Sequence, residues 1–318
     1  MIYLEYFVLV ILVVLISVKL SYYVDCLDKK SVLPGAFLGG VMLAAVTSLP
    51  ELFTSLTAVL FLEQPHLVLG NVLGSNIFNL CIVGGICLFM SKAYQKSQIA
   101  DSHLTTLLYG LLMYGSVFVA IAFVPDMHIG IAHFSPLSLL ILVLYAINVK
   151  YMKSDDSVEN TENVEVTLSH KQLIARFVMC SIVLVIVSIF LTQVTDKIAV
   201  DLNLGATVAG ALFLGIATSL PELSSSINLA RIGNYNASFG NVVGSNLFNF
   251  TILSLADLLY TGSSIYVGDA QVMTILIFGV FSTLATLGLI RGKKYQNVVM
   301  LSSATILCSY IVSILLSL

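Results

Sequence analysis

Charged residues in this chain are gathered into short gaps, and between the gaps run apolar stretches of about twenty residues, long enough to cross a bilayer. The 318 residues are 58% hydrophobic and only 10% charged, against about 25% charged in soluble domains. A backbone in hydrocarbon must satisfy its N–H and C=O groups within its own segment, so such stretches are expected to be helices. The expected fold class is an all-α polytopic membrane protein. Trp is absent, which leaves Tyr to build any interfacial belt. The first stretch, residues 3–23, is too long for a signal-peptide core and lacks a basic leader and a small-residue cleavage site, so it reads as the first span. Cys26, Cys81, Cys87, Cys180 and Cys308 show no metal-ligand spacing and read as small packing residues. The net charge of −3 points to no partner.

Ten spans are expected, at residues 3–24, 33–62, 66–90, 104–124, 130–151, 172–194, 203–230, 236–260, 268–290 and 297–317. The one long polar stretch, 153–171, reads KSDDSVENTENVEVTLSHK and suits a solvated linker. It separates a first five-helix half, 1–152, from a second, 172–318. Basic residues test the count. Lys19, Lys29 and Lys30 flank the first loop, and Lys92 and Lys96 the third. Lys150, Lys153, Lys171 and Arg176 flank the fifth, Arg231 lies in the seventh, and Arg291, Lys293 and Lys294 in the ninth. Only Lys197 falls in an even loop, so 13 of the 14 basic residues share one face. That face is cytoplasmic by the positive-inside rule. Both termini are then expected outside, the 153–171 linker inside, and the chain in a prokaryotic plasma (inner) membrane. Five helices per half means that related halves would be inserted upside down relative to each other, as in many secondary transporters.

The halves are related. TSLPEL occurs at 47–52 and again at 218–223, and GNVLGSNIFN at 70–79 matches GNVVGSNLFN at 240–249. The offset is 171 residues in the first block and 170 in the second, and Gly39 matches Gly210 upstream. The repeats cover about 35–90 and 205–260. Inversion lets the two copies meet near the bilayer midplane.

Each copy sets a proline beside a glutamate inside an apolar span. Pro50 lacks an N–H and releases the carbonyl of Val46; Pro221 does the same for Ala217. Thr47 and Ser48 stand four and three residues before Glu51 and share its helix face, as Thr218 and Ser219 do for Glu222. Hydroxyls, carbonyls and a carboxylate are hard oxygen donors that suit Ca²⁺ or Na⁺. Asn71, Ser75 and Asn79 form a polar stripe at a spacing of four, repeated by Asn241, Ser245 and Asn249. Gly70 with Gly74, and Gly240 with Gly244, let helices approach closely, which could bring the amides against the glutamates.

Packing competes as an explanation for Ser48, Ser219, Asn71 and Asn241 taken singly, and Asn76 and Asn246, one residue off the stripe, read as structural. For Glu51 and Glu222 packing is a poor explanation, since intramembrane carboxylates are costly and mark ion or proton paths. Asp257 and Asp269, near outer helix ends, read as interfacial, and Glu63 as an external-loop residue. His66, His103, His128, His133 and His170 share no spacing. An intramembrane enzyme is disfavoured: there is no HExxH, no pair of intramembrane aspartates and no Ser–His or Ser–Lys pair in matched helices. A channel is disfavoured because duplicated, inverted carboxylates favour a closed site.

The paired blocks resemble the α-repeats of the cation/Ca²⁺ antiporter superfamily, specifically its Na⁺/Ca²⁺ exchanger-like branch, and the resemblance spans effectively the whole chain. It implies an antiporter that moves Ca²⁺ in exchange for Na⁺ or H⁺ by alternating access, helices 1 and 6 sliding over a fixed core. It implies ion sites at the midplane between helices 2, 3, 7 and 8. The residues carried over are Glu51, Thr47, Ser48, the Ala44 carbonyl, Ser75 and Asn79, with Glu222, Thr218, Ser219, the Gly215 carbonyl, Ser245 and Asn249. No cofactor is implied: inorganic cations are the cargo, the bilayer is the setting, nucleic acid has no part and a single chain suffices. Another divalent ion, Mg²⁺ or Mn²⁺, is the alternative cargo, though flexible oxygen sites favour Ca²⁺ over Mg²⁺. The residue before TSLPE is usually Gly in this branch, and here it is Val46 and Ala217. Many Na⁺/Ca²⁺ exchangers carry Asp where this chain has Asn249, and the proton-coupled branch tends to an amide. Two carboxylates balance one Ca²⁺ against two monovalent ions, so exchange is expected to be close to electroneutral.

Overall fold

The computed structural model describes residues 1–28, 43–123, 127–129, 132–152, 169–262 and 264–318. The start of the second expected span, Gly39, Lys29, Lys30 and most of the 153–171 linker lie outside the described residues. In the first half the elements are α1 (Ile2–Asp28), α2 (Leu43–Thr47), α3 (Leu49–Leu60), α4 (Pro65–Phe89), α5 (Ser91–Lys96), α6 (Ser102–Phe123), β1 (Met127–Ile129), β2 (Ala132–Phe134) and α7 (Pro136–Met152). The second half has α8 (His170–Asp201), α9 (Ala206–Ala209), a π-helical turn (Gly210–Leu214), α10 (Gly215–Thr218), α11 (Leu220–Arg231), α12 (Tyr235–Leu259), α13 (Ala270–Arg291) and α14 (Gln296–Ser317). Among the described residues seven helices are long and apolar enough to cross a membrane: α1, α4, α6, α8, α12, α13 and α14. The run α9–α10 with α11 makes an eighth, bent by 45°, and α3 and α7 are shorter apolar helices.

Helices α4 and α12 form the centre, packed against each other and against most of the remaining elements. They carry the small residues that close packing requires. A Cβ added to Gly70 would run into the Thr207 carbonyl, and one on Gly74 into Ala211. Gly210 meets Leu67 and Asn71 in return, so two small-residue surfaces bring backbones together. Helices α1 and α8 lie against one another at the periphery. They turn Leu4, Ile11, Leu15, Ile182, Ile186 and Phe190 outward, as a lipid-facing surface requires.

The structure departs from the expected all-α chain in particulars. Residues 127–134 include a two-stranded antiparallel hairpin, with Met127 opposite Phe134 and Ile129 opposite Ala132. The span expected at 130–151 therefore starts only at Pro136, whose missing N–H suits a first helical turn and holds the residue before it extended. The span expected at 172–194 runs seven residues further, to Asp201. Helix α5 was not foreseen. It is pinned by Tyr94, which stacks on Phe239 (centroids 5.6 Å, 5°) and donates its hydroxyl to the Leu289 carbonyl at 3.1 Å. Lys293 lies over the Tyr94 ring and donates to the Ser97 carbonyl.

Asp257 is a correction. Read as interfacial, it is 1% exposed. Its Oδ2 accepts from the Ser135 N–H at 2.9 Å and the Ser138 hydroxyl at 2.6 Å, at the N-terminus of α7, whose dipole favours a carboxylate. Tyr266 completes the group through Ser138 at 2.7 Å. Asp269, in contrast, caps α13 through the Val272 N–H at 2.7 Å and meets His66 Nδ1 at 3.1 Å near the surface.

Candidate functional site

Both TSLPEL copies break their helix at the serine. Ser48 stands at φ −89°, ψ 10° between α2 and α3, and Ser219 at φ −89°, ψ 4° between α10 and α11. The cause is local: proline follows two residues later, occupies the first turn of the next helix and cannot donate to the preceding turn. The glutamate one residue beyond it then enters the first turn of α3 or α11, where the helix dipole favours negative charge.

The two breaks meet. The Ser48 hydroxyl donates to Glu222 Oε1 at 3.0 Å, and the Ser219 hydroxyl donates to Glu51 Oε1 at 2.9 Å. Each half thus holds the other half's carboxylate. Both glutamates and all four flanking Thr and Ser residues are fully buried. Ser245 joins the Glu222 side, donating to Oε1 at 3.2 Å, and lies 3.4 Å from Thr47 Oγ1 and 3.5 Å from the Ala44 carbonyl. Thr47 also donates to Ala44 at 3.2 Å. Across the centre, Ser75 donates to the Gly215 carbonyl at 3.2 Å. Thr218 donates to the Leu214 carbonyl at 2.8 Å and reaches Asn71 Oδ1 at 3.5 Å. Glu51 Oε2 and Glu222 Oε2 have no hydrogen-bond partner among the described residues. A buried carboxylate oxygen left so is costly unless a cation or a proton meets it.

The hydroxyls reach the carbonyls of Ala44, Gly215 and Leu214, and not the Val46 and Ala217 carbonyls that the prolines release. The amide stripes do not converge on the carboxylates. Asn71 donates to Thr54 Oγ1 at 3.0 Å, Ser55 Oγ at 2.9 Å and the main-chain carbonyl of Glu51 at 3.4 Å. Asn241 donates to Ser226 at 3.0 Å. Asn79 and Asn249 belong to a separate layer further along α4 and α12. Asn79 donates to Asn246 Oδ1 and Asn249 to Asn76 Oδ1, both at 3.0 Å, and Asn246 donates to the Asn76 carbonyl at 2.9 Å. This reciprocal pairing agrees with the structural reading of Asn76 and Asn246. It makes them the direct partners of Asn79 and Asn249, a link the four-residue spacing did not reveal. Thr54, Ser55 and Ser226 were also missed, although the repeat runs on past the motif and matches Ser55 with Ser226. Among the described residues no three of His, Cys, Asp and Glu converge, so the centre carries at most two negative charges.

Apolar helices long enough to cross a membrane, around an oxygen-lined centre shared by two broken helices, define a helical integral membrane protein with a buried polar centre. The sodium/calcium exchanger protein family matches residues 4–152 and 172–318. The chain belongs to that family, and it is a transporter. It is 28% identical over 273 residues to the inner membrane protein YrbG of Escherichia coli (strain K12), covering 84% of this chain and 83% of that one. It is 26% identical over 269 residues to the sodium/calcium exchanger MaX1 of Methanosarcina acetivorans, covering 70% and 73%. In fold it is similar to the crystal structure of the H⁺/Ca²⁺ exchanger CAX, with a TM-score of 0.77 at 16% identity over 99% of this chain and 82% of that one. It is also similar to the sodium-calcium exchanger NCX_Mj, with a TM-score of 0.62 at 22% identity over 99% of both chains.

Proposed function

We propose that this protein is a secondary active antiporter that moves Ca²⁺ across the membrane in exchange for Na⁺ or H⁺ by alternating access. The observation that carries the reading is the crossed pair Ser48–Glu222 and Ser219–Glu51, with the second oxygen of each carboxylate buried and unpartnered. The ligands are Glu51, Glu222, Thr47, Ser48, Thr218, Ser219, Ser75, Ser245 and the carbonyls of Ala44 and Gly215. Asn79 and Asn249 stand behind them, neutral, and leave the charge at two. The bent run α9–α11 counts as one span, α2–α3 as its equivalent and α7 as another, which makes ten. The two five-helix halves, 1–152 and 172–318, are inverted, with both termini outside and the 153–171 linker in the cytoplasm. Helices α1 and α8 slide over the α4–α12 core.

Two buried carboxylates neutralise one Ca²⁺, two Na⁺ or two H⁺, and a third monovalent charge would go uncompensated in a low-dielectric site. One Ca²⁺ therefore exchanges for two monovalent ions. The test is radioactive Ca²⁺ uptake into liposomes, driven by a Na⁺ gradient or by a pH gradient, with current recorded under a clamped membrane potential. Uptake on one of the two gradients with negligible current is expected. Uptake on neither refutes the antiport, and a steady current accompanying exchange refutes the two-for-one stoichiometry.

A further inference from the structure

The sliding helices carry a repeat of their own. Residues 13–21 of α1 read VVLISVKLS, and residues 184–192 of α8 read LVIVSIFLT. Ser17 falls on Ser188 at an offset of 171, the same offset that relates the two TSLPEL copies. The buried pattern matches as well: Val13, Ser17 and Leu20 on α1, and Leu184, Ser188 and Leu191 on α8, are all fully buried. One hydroxyl therefore recurs at one register on both helices, in the middle of an apolar face.

These hydroxyls behave unlike most others in the protein. Buried Ser and Thr in spanning helices satisfy themselves on the carbonyl four residues back. Thr54 does so on Pro50, Thr57 on Phe53 and Thr192 on Ser188. Ser17 Oγ and Ser188 Oγ are buried without a hydrogen-bond partner among the described residues. Thr195 Oγ1, Ser282 Oγ and Ser303 Oγ are also unpartnered, but Ser282 and Ser303 lie on α13 and α14 and the equivalent of Thr195 on α1 is Val24, so Ser17 and Ser188 are the pair that recurs on both sliding helices.

Both stand within a turn of a residue that meets a broken helix. On α8, Thr192 donates to the Thr54 carbonyl of α3 at 3.4 Å. One turn back along α8 is Ser188, and one turn back along α3 is Pro50, beside Glu51. On α1, Val18, the neighbour of Ser17, lines a cavity together with Pro221, beside Glu222. Each sliding helix therefore carries one unsatisfied hydroxyl within a turn of a residue that meets a broken helix, Ser188 before Thr192 and Ser17 beside Val18.

We propose that Ser17 and Ser188 are transit hydroxyls. Each waits unpaired beside its broken helix and, when its helix shifts, offers oxygen to the cation or its hydration water as the ion leaves or approaches the carboxylates. Ser17 serves the passage beside α11 and Ser188 the passage beside α3. This rests on the antiport reading above, because the hydroxyls need an ion to serve. A packing role makes the opposite forecast. Replacing a buried hydroxyl that has no partner by a methyl removes an unsatisfied group, so the protein is as stable or more stable and transport is unchanged.

The test uses the full-length chain in liposomes with radioactive Ca²⁺ on the gradient that drives it, alongside thermal unfolding. Ser17→Ala and Ser188→Ala are expected to keep or raise the unfolding midpoint while slowing exchange about five- to tenfold, the loss of one hydrogen bond to the ion's hydration water. Ser17→Thr and Ser188→Thr, which keep the hydroxyl, are expected to restore much of the rate. Ser17→Ala should raise the half-saturating Ca²⁺ on the cytoplasmic side, and Ser188→Ala on the outer side. Unchanged exchange in both Ala variants, or a loss that Thr does not restore, overturns the proposal. Glu51→Gln and Glu222→Gln separate the two readings. If these abolish exchange while the Ala variants do not alter it, the transit role fails alone; if they leave exchange intact, the antiport site itself is wrong.

Discussion

The two contacts between a sliding helix and a broken helix are built from matched sequence and end in different states. Where α8 meets α3 the interface is packed: Thr54 is fully buried, Thr57 is 3% exposed, and Thr192 bonds across to the Thr54 carbonyl. Where α1 meets α11 a cavity of about 280 Å³ opens, lined by Val18, Pro221, Ser224, Ser225 and Asn228. The equivalents of Thr54 and Thr57 are Ser225 and Asn228, so the chain has placed hydroxyl and amide where the cavity opens. On the inverted arrangement proposed above, α11 descends from the centre toward the cytoplasm and α3 rises toward the outside. On that proposal the cavity side is the open cytoplasmic passage and the packed side the closed outer one. An asymmetry of this kind between equivalent elements is what alternating access needs, because the opposite state follows by exchanging the roles of the two interfaces.

The largest test concerns what the two sides share. Glu51 and Glu222 accept equivalent serines across the centre, so Glu51→Gln and Glu222→Gln should each lower Ca²⁺ exchange by about a hundredfold or more, since each leaves a divalent ion facing one buried charge. Equal losses mark the centre as symmetric, however different the passages are. A variant that keeps near-normal exchange in the liposome assay breaks the shared-site part of the comparison.

The next test separates packed from open. Ser225→Phe places a ring in the cavity and is expected to leave the unfolding midpoint within a few degrees while slowing uptake from the cytoplasmic side about tenfold. Thr54→Phe has no space. Overpacking of a filled interior costs about 1–3 kcal/mol, so its midpoint should fall clearly. Matched stability losses in the two variants would mean that the passages are equally packed.

Much of this was legible in the sequence, for reasons that differ by residue. The spans were readable because lipid forces apolar runs of a fixed length, and α4, α6, α12, α13 and α14 fall within two residues of the expected limits. The glutamates and serines were readable because an acid beside a proline in such a run has few other uses, and because it occurs twice. What could not be read is what depends on which helix lies opposite. The spacing of Asn71, Ser75 and Asn79 gives one stripe, yet the three point to three neighbours: α3, the Gly215 carbonyl and Asn246. Asp257 looked interfacial by position in its helix, and only the fold of α7 over it makes it buried. The π-helical turn at 210–214 has no periodic signature that would set it apart.

The smallest effect is the sharpest test of direction. Thr192→Val keeps the shape of the side chain and removes the one described hydrogen bond that joins α8 to α3. The hydroxyl shares its one proton with the Ser188 carbonyl at 2.8 Å, so the contact to Thr54 sits at the low end of the about 0.5–1.5 kcal/mol of a neutral hydrogen bond, and the closed outer interface should lose about two- to threefold of its population advantage. The protein then spends more time open to the outside. The half-saturating Ca²⁺ measured on the outer side should fall, and the value on the cytoplasmic side should rise by a similar factor, because one equilibrium governs both. A change confined to one side would mean that α8 against α3 moves independently of α1 against α11. A change in the reverse sense would mean that this bond belongs to the open state, and the assignment of closed and open passages would have to be exchanged.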